Sequence, residues 1–448
     1  ILVRDLDMRE LDETRERLLK SPVEALAVVT KFSTRNPEFE QRIRKYFEGD
    51  YDEITVGHTL SGKLNFPRRV RTAYLNAAVS RTFMKFAESM REALLRSSVN
   101  APVYVLKADG GTVDLDGAML KPVETILSGP AASFMGMRAL LDDEQSDRVL
   151  IDVGGTTTDM FFLVDGVPVF EPLGIEIDGR RTLVRALFSQ SIGIGGDSHV
   201  RFEEGILKIG PRREGLPVAF GGESLTPTDA LVYLGKLDAQ YREKSRNAVE
   251  HMAAESGFDA MALAEMIVMR MCDEIQSAIE RVLNKLNESP VYTIEELLRD
   301  RTIRPQAVEV IGGPAASLSG YLEEAIGLPV LCPEHHEIAN AIGAALAKPT
   351  IEINMIADTG REMMSIPERG LYQPIDRTFN LREAEEFALS EVREAGKSLG
   401  LKKKQLDVEI VESSSFNMVQ GYGRRVDRNI RVRAQIKPGL LEKLRKGD

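Results

Sequence analysis

The chain carries a turn rich in glycine and threonine between two apolar segments, within IDVGGTTTDMFFLVDG at 151–166. Asp152 and Asp159 flank this turn. Glycines let backbone N–H groups approach phosphate oxygens closely, threonine hydroxyls add donors, and a carboxylate at a strand end suits Mg²⁺. The stretch therefore predicts a polyphosphate-binding hairpin, and the alternative is an ordinary tight turn with Asp, Gly and Thr chemistry. The loop residues are Gly154, Gly155, Thr156, Thr157 and Thr158.

A second glycine cluster, SIGIGGDSHV, follows at 191–200. Successive backbone N–H groups there can form another anion-binding nest, and Asp197 and His199 place ionisable groups beside it. For His199, a hydrogen-bonded turn position is the alternative to a role in catalysis or substrate binding. The predicted nest residues are Gly193, Gly195, Gly196 and Ser198.

A third glycine pair, Gly312 and Gly313, lies after an apolar strand and opens a helix within VIGGPAAS. Such a turn lets an adenine or a ribose lie against bare backbone. LSGPAAS at 127–133 recurs as IGGPAAS at 311–317, which indicates either two similar halves of an α/β protein or a chance match. His335-His336-Glu337 suggests a metal site, but adjacent histidines point in different directions and a helix entry is the expected role.

The elements that must position these residues divide the chain into three predicted parts. Residues 1–148 alternate helix and strand, residues 149–349 form a second domain with a helical insert at 236–306, and residues 350–448 form a compact α+β appendage. A charged helix follows closely on Ile1 and no Met precedes it, so the chain reads as the interior of a longer protein. The fold class expected from this alternation is α/β.

Composition excludes several classes of function. A net charge of −11 argues against a general nucleic-acid surface. No segment reaches the ~18 uninterrupted apolar residues of a spanning helix, so no membrane association is expected. Two cysteines, Cys272 and Cys332, fit a reducing cytoplasm without a disulfide framework.

The order of the motifs carries more information than any one of them. SGPAASFMGMRAL, IDVGGTTTD, VIGGPAAS and EIANAIGAALA follow one another as in the second half of the actin, sugar-kinase and heat-shock-chaperone ATPase fold, which the chain resembles. Within that superfamily it is most similar to the hydantoinase A/oxoprolinase family over roughly residues 20–347. The resemblance implies actin-like (ribonuclease H-like) ATPase domains. The further matching segments are FSTRNPEFEQRI (32–43), RTAYLNA (71–77), KADGG (107–111), SIGIGGDS (191–198), IGP (209–211) and TPTDALVYLG (226–235).

The resemblance implies an ATP-dependent hydrolase that activates a cyclic amide or a related carbonyl compound, with ATP and Mg²⁺ as cofactors. It also implies an oligomer with a second, B-type subunit or another partner enzyme, and a structural or supporting position for Asp229. The predicted catalytic residues are Asp152, Asp159 and Asp197, and Asp152 is also the predicted metal ligand. The predicted nucleotide-binding residues are Gly154, Gly155, Thr156, Thr157, Gly195, Gly196, Ser198, Gly312 and Gly313. The predicted substrate-binding residues are Asp109, Gly110, Gly111 and His199.

Three departures from the family pattern keep other functions open. The first phosphate loop expected upstream is not in the given sequence, so the chain reads as a fragment or as half a site. RREGLPVAFGGESL at 212–225 replaces a stretch that ends Cys-Tyr-Gly in the family, which puts the ring-opening pocket in doubt. EIANAIGAA resembles the connecting helix of ATPases that reactivate cobalamin-dependent enzymes. The alternatives are therefore a chaperone-like reactivating ATPase and a scaffold with a decayed nucleotide site.

Overall fold

Helices and strands alternate along the computed structural model, which describes residues 5–141, 145–171, 173–288, 302–420, 425–442 and 444. The helices are α1 (Met8–Leu19), α2 (Glu38–Phe47), α3 (Gly57–Leu60), α4 (Phe66–Arg96), α5 (Leu115–Leu120), α6 (Ser128–Leu140), α7 (Pro227–Tyr233), α8 (Arg242–Ser256), α9 (Ala260–Glu288), α10 (Ala315–Ile326), α11 (Ala339–Leu346) and α12 (Leu381–Ser398). The strands are β1 (Leu26–Val28), β2 (Ile54–Val56), β3 (Tyr104–Leu106), β4 (Thr112–Asp114), β5 (Arg148–Val153), β6 (Thr158–Val164), β7 (Val167–Pro168), β8 (Glu176–Ile177), β9 (Arg180–Arg181), β10 (Gln190–Ile192), β11 (Val200–Glu203), β12 (Ile206–Ile209), β13 (Ala307–Ile311), β14 (Val330–Leu331), β15 (Glu352–Asp358), β16 (Met363–Ile366), β17 (Leu371–Pro374), β18 (Val408–Gln420) and β19 (Arg425–Ile436).

The chain divides into two compact units, each built from separate stretches of sequence. Unit 1 comprises residues 1–128, 173–186 and 347–441, and unit 2 comprises residues 129–172, 187–346 and 442–448. The three-part division of the sequence at 148 and 349 stays a prediction.

Unit 2 is organised around a mixed sheet with the strand order β10-β6-β5-β13-β14. The first three strands are antiparallel to one another, and β13 and β14 run parallel to β5. This is the order and direction of a ribonuclease H-like sheet, so the predicted α/β fold class is confirmed. Apolar runs in β5, β6 and β13 are buried because α7, α9 and α10 contribute to the same core.

Two helices of small residues cross closely in unit 2. A Cβ added at Gly136 of α6 would overlap the carbonyl oxygen of Ala339 in α11, and one at Gly343 would overlap the carbonyl oxygen of Ala132. The small residues of SGPAASFMGMRAL and EIANAIGAALA are therefore required by backbone-to-backbone packing. This contact fixes α6 beside the sheet, and α6 contributes a side chain to the candidate site.

The predicted helical insert at 236–306 contains α8 and α9, and its residues 289–301 lie outside the described residues. Met271 and Ile275 of α9 are fully buried in the core, whereas Met261 near the start of the helix is 49% exposed. No described helix combines the length and the apolar character needed to cross a membrane.

Unit 1 joins the C-terminal segment to the N-terminal one. Its five-stranded antiparallel sheet has the order β17-β16-β15-β19-β18, and α12 covers one face. Thr112 forms an isolated bridge with Pro349, and its N–H donates to the carbonyl oxygen of Lys348 at 3.0 Å. The α+β segment predicted from residue 350 onward is therefore held to residues near 112 by backbone hydrogen bonds.

Candidate functional site

The hairpin between β5 and β6 places its two aspartates on one face. Asp152 and Asp159 are directly opposed in the antiparallel register, so their side chains project to the same side. The turn is closed by the Gly154 N–H, which donates to the carbonyl oxygen of Thr157 at 2.9 Å. The geometry brings together the two carboxylates that flank the loop in sequence.

The loop leaves three backbone donors available. Within the described part of the chain, no hydrogen bond is made to the N–H groups of Gly155, Thr156 and Thr157. The side chains of Thr156 and Thr157 are exposed. Unsatisfied N–H groups beside exposed hydroxyls form the kind of concavity that binds anions. The turn is thus suited to phosphate oxygens.

Asp152 is held by a partner that the sequence reasoning missed. The Ser133 hydroxyl of α6 donates to Asp152 Oδ2 at 2.5 Å. Burial raises the pKa of the Asp152 carboxyl, and the Ser133 hydrogen bond partly offsets this effect. Burial also raises the pKa of Asp159, and the nearby charge of Asp152 adds to that shift. Two carboxylates whose charges disfavour one another are suited to a cation.

The second glycine cluster packs against the loop between β5 and β6 through backbone hydrogen bonds. The N–H of Gly196 donates to the carbonyl oxygen of Gly154 at 2.9 Å, and that of Asp197 donates to the carbonyl oxygen of Gly155 at 2.6 Å. The Gly195 N–H donates to the buried Ser198 hydroxyl at 2.9 Å. These residues support the phosphate loop through their own backbone, and their direct contact with a cofactor stays a prediction.

Asp197 and His199 obtain partners from the segment that departs from the family pattern. Arg213 pairs with Asp197 at 2.8 Å, while Glu214 lies 3.5 Å from His199 Nε2. Burial raises the pKa of Asp197, and Arg213 opposes that shift. His199 Nδ1 also lies 2.9 Å from the Ser224 hydroxyl. Residues 212–225 therefore complete this side of the site, a role their sequence did not reveal.

Gly312 lies against the end of β5. Ile311 at the end of β13 is in register with Asp152, so the next residue reaches the aspartate. Gly312 has a φ of 108°, and a Cβ there would overlap the Val153 carbonyl oxygen and lie 3.0 Å from Asp152 Oδ1. His336 Nδ1 donates to the Gly312 carbonyl oxygen at 2.8 Å. The glycine is required by this close approach.

The predicted helix-entry role of His335-His336-Glu337 fits a short 3₁₀ turn at His336–Ile338. No group of three or more His, Cys, Asp or Glu side chains within the described ranges is arranged to hold a metal ion. Magnesium commonly takes one or two carboxylates together with waters and phosphate oxygens, so the Asp152–Asp159 pair fits that ion. The acidic pair and the free loop amides together fit Mg-ATP.

A cavity of about 450 Å³ lies beside the first turns of α10. Gly313 and Pro314 directly precede that helix, and a Cβ added at Gly313 would lie in open space. The cavity is therefore bordered by the helix that begins at the predicted adenosine turn. The lining residues are Lys236, Ala316, Ser317, Gly320, Tyr321 and Glu324.

Two further groups of predicted residues have structural contacts. Asp229 is fully buried in a capping box with Thr226 and also accepts from the Ser245 hydroxyl at 2.9 Å. Asp109 belongs to unit 1, where it accepts the Gly111 N–H at 3.0 Å and pairs with Lys107. The substrate-binding roles of Asp109, Gly110 and Gly111 stay predictions.

Comparison with known proteins identifies relatives of the chain. The hydantoinase/oxoprolinase family model matches residues 69–353, which is more than half of the sequence. The acetophenone carboxylase gamma subunit of Aromatoleum aromaticum is 26% identical over 64% of the chain, and 5-oxoprolinase of Saccharomyces cerevisiae is 24% identical over 74%. The crystal structure of ATP-dependent caprolactamase from Pseudomonas jessenii has a TM-score of 0.63 at 20% identity, covering 99% of this chain and 68% of the other. The chain spans 43% and 26% of the two curated relatives.

Proposed function

We propose that this chain, which belongs to the hydantoinase/oxoprolinase family, binds Mg-ATP at the Asp152–Asp159 hairpin to activate a cyclic amide or a related carbonyl compound. One observation carries the proposal: a single hairpin contains two carboxylates on one face and three N–H groups that donate to no described residue. An amide is protected by resonance, and phosphorylation of its oxygen would let water open the ring.

Each part of the hairpin has a proposed task. Asp152 and Asp159 hold Mg²⁺, partly through water, and Ser133 keeps the Asp152 carboxylate oriented. The N–H groups of Gly155, Thr156 and Thr157 donate to phosphate oxygens. When bound, Mg-ATP supplies the phosphoryl group and neutralises developing negative charge.

The remaining site residues are assigned around this hairpin. Gly312 and Gly313 face the ribose, and the cavity beside α10 takes the adenine, because the helix that follows the glycine pair forms its wall. Asp197 is half-buried beside the loop and has a raised pKa, which suits a carboxylate that accepts a proton from water or holds that water in place.

The names of the relatives support the proposed partner and substrate class. One relative is named as a subunit, which supports a second subunit for this chain as well. The reactivating ATPase has no specific observation in its favour, and the intact hairpin speaks against a scaffold with a decayed nucleotide site. The cyclic-amide hydrolase is therefore retained as the proposed function.

The test measures ADP release by the complete protein with 2-pyrrolidinone, caprolactam, hydantoin or oxoproline, and separately with a ketone plus bicarbonate. We expect a cyclic amide to stimulate turnover. Stimulation by the ketone and bicarbonate alone would replace the hydrolase with a carboxylase. Gly155→Val is expected to abolish Mg-ATP binding in calorimetry, because its Cβ would lie 2.6 Å from Asp197 Oδ2. Gly49→Val is the control, since a Cβ there meets open space.

A further inference from the structure

Unit 1 contains a buried carboxylate–imidazole pair that lies outside the site described above. Glu40 of α2 is fully buried, and its Oε2 accepts from both the backbone N–H and Nδ1 of His58, at 2.8 and 2.7 Å. Its Oε1 accepts the Thr30 N–H at 2.7 Å. Burial raises the pKa of Glu40, but the hydrogen bonds from His58 and Thr30 outweigh it and keep the carboxylate ionised. Because a carboxylate oxygen accepts, His58 Nδ1 carries the proton of this hydrogen bond, and the tautomer with its proton on Nδ1 has an acceptor at Nε2.

Three buried polar atoms near this pair make no hydrogen bond with the described part of the chain. They are Thr34 Oγ1, Arg69 Nε and Tyr372 OH. Thr34 is fully buried and Arg69 is 2% exposed. Leaving buried donors unsatisfied costs free energy, so such atoms call for a ligand, a buried water or a functional reason.

Backbone contacts and strand register connect Arg69, Thr34 and Tyr372 to the surroundings of the Glu40–His58 pair. Arg69 Nη2 donates to the carbonyl oxygen of Thr30, whose own N–H binds Glu40. The Ser365 hydroxyl donates to the Thr34 carbonyl oxygen at 3.1 Å, and Ser365 is in register with Tyr372 across β16 and β17.

Two further observations join Tyr372 and the loop to the same place. Besides burial, the negative charges of Glu368 and Glu40 raise the pKa of Tyr372. The residue before the Ser33-Thr34 pair, Phe32, has a φ of 67° although its ring is exposed. A bulky residue in the left-handed region is strained, and this strain lies directly before the buried Ser33-Thr34 pair.

We propose that these groups form a second ligand site in unit 1, in which Thr34, Tyr372 and Arg69 donate to the carbonyl oxygen of a small neutral amide and His58 Nε2 accepts its N–H. The charge of Arg69 is balanced by that of Glu40, which favours a neutral ligand over an ion. Donors for a carbonyl oxygen beside an acceptor for an N–H suit an unsubstituted lactam, which carries both groups. In choosing an amide, the inference rests on the proposed function, although the site itself rests on these contacts.

The test titrates 2-pyrrolidinone into the complete protein without nucleotide. The ring ¹⁵N signals of His58 in NMR spectra report on binding. We expect the lactam to shift the Nε2 signal. Thr34→Val and Tyr372→Phe should each weaken binding about tenfold, the loss typical of one hydrogen bond to a buried group. N-methyl-2-pyrrolidinone lacks the N–H. Its affinity for the wild-type protein should be no higher than the affinity of 2-pyrrolidinone for these variants.

Matched controls separate ligand binding from structure. Thr125→Val removes a hydroxyl that is bonded to the Pro122 carbonyl oxygen, and Tyr74→Phe alters an exposed ring, so neither should change lactam affinity. Thr34→Val and Tyr372→Phe should keep or raise the Tm of the ligand-free protein, since each removes a hydroxyl that bonds to none of the described residues. Equal lactam affinity in wild type and both variants, or no binding at all, would overturn the inference.

The two proposals fail separately. Asp152→Asn is expected to lose Mg-ATP and keep 2-pyrrolidinone binding. A wild-type protein that binds the lactam through Thr34 and Tyr372 but does not bind Mg-ATP would refute the proposed function and leave this site standing.

Discussion

The turn at 107–111 and the turn at 154–157 both place glycines next to an aspartate, but they use their polar groups differently. In the first, Asp109 accepts the Gly111 N–H, and the Lys107 N–H donates to the Gly111 carbonyl oxygen at 2.7 Å. In the second, three N–H groups donate to no residue in the described part of the chain. A glycine turn is suited to a ligand when its donors remain available, and to packing when they are consumed internally.

The glycines differ in the same way. A Cβ on Gly111 would overlap the Thr350 side chain, whereas Gly154 would meet only the Thr157 carbonyl oxygen at 3.3 Å. Gly111 therefore permits a close approach within unit 1, while the loop at 154–157 stays open on its exposed side. Three substitutions and one pH dependence test this contrast.

Asp152→Asn should have the largest effect. Loss of one carboxylate of the pair should weaken Mg-ATP binding about 100-fold, because a charged ligand of the cation is removed. Calorimetry on the folded variant measures this change. Asp109→Asn is the matched control in the other turn, and an equal loss there would contradict the contrast.

Gly111→Ala should destabilise the protein by about 1–3 kcal/mol, because the added methyl group overpacks against Thr350. Denaturant unfolding measures the free energy, and Mg-ATP affinity should be unchanged. Gly49→Ala has open space and should leave stability nearly unaltered. A Gly111→Ala protein as stable as wild type would show that this turn is not packed as described.

Ser133→Ala should weaken Mg-ATP binding about tenfold, since Asp152 loses the hydroxyl that orients it. Titration of the nucleotide against the variant provides the measurement. Ser319→Ala is the control, since it removes a helical serine hydroxyl that is bonded to the Ala315 carbonyl oxygen and lies outside the hairpin. Equal affinities for wild type and Ser133→Ala would remove Ser133 from the site.

The smallest effect is a dependence on pH. The pKa of Asp152 is raised above 3.8 by burial, so its ionisation costs folding free energy at neutral pH, and this cost disappears as pH falls through the raised value. Asp152→Asn should therefore have a higher Tm than wild type at neutral pH, with the difference lost by about pH 3.8. Mg-ATP affinity of the wild type should fall over the same acidification. A Tm difference that grows in acid would reverse the assigned sign.

Much of the fold was predictable because it depends on local pattern. The apolar segments around the glycine-threonine turn predicted a hairpin at 151–166, and the structure has the antiparallel strands β5 and β6 there. The ordered motifs predicted the family and the α/β class, both of which are confirmed. The three-domain division and the individual site roles remain predictions.

The partners of the site residues were not predictable. Ser133 lies 19 positions before Asp152, and its role depends on where α6 crosses the sheet. Arg213 and Glu214 belong to a segment that the family comparison had placed in doubt, yet they pair with Asp197 and His199. No short-range pattern links Thr34 with Tyr372, because β-sheet pairing and helix packing bring them together.

The sequence by itself determined the phosphate-type hairpin, the glycine turns and the family, because these depend on residue type and order along the chain. Only the tertiary structure decided which carboxylates face one another, and which N–H groups and buried hydroxyls bond to none of the residues that the structure describes. The physical reason is that hydrogen-bond satisfaction and burial are properties of neighbours in space. In this chain those neighbours come from segments as far apart as Thr34 and Ser365.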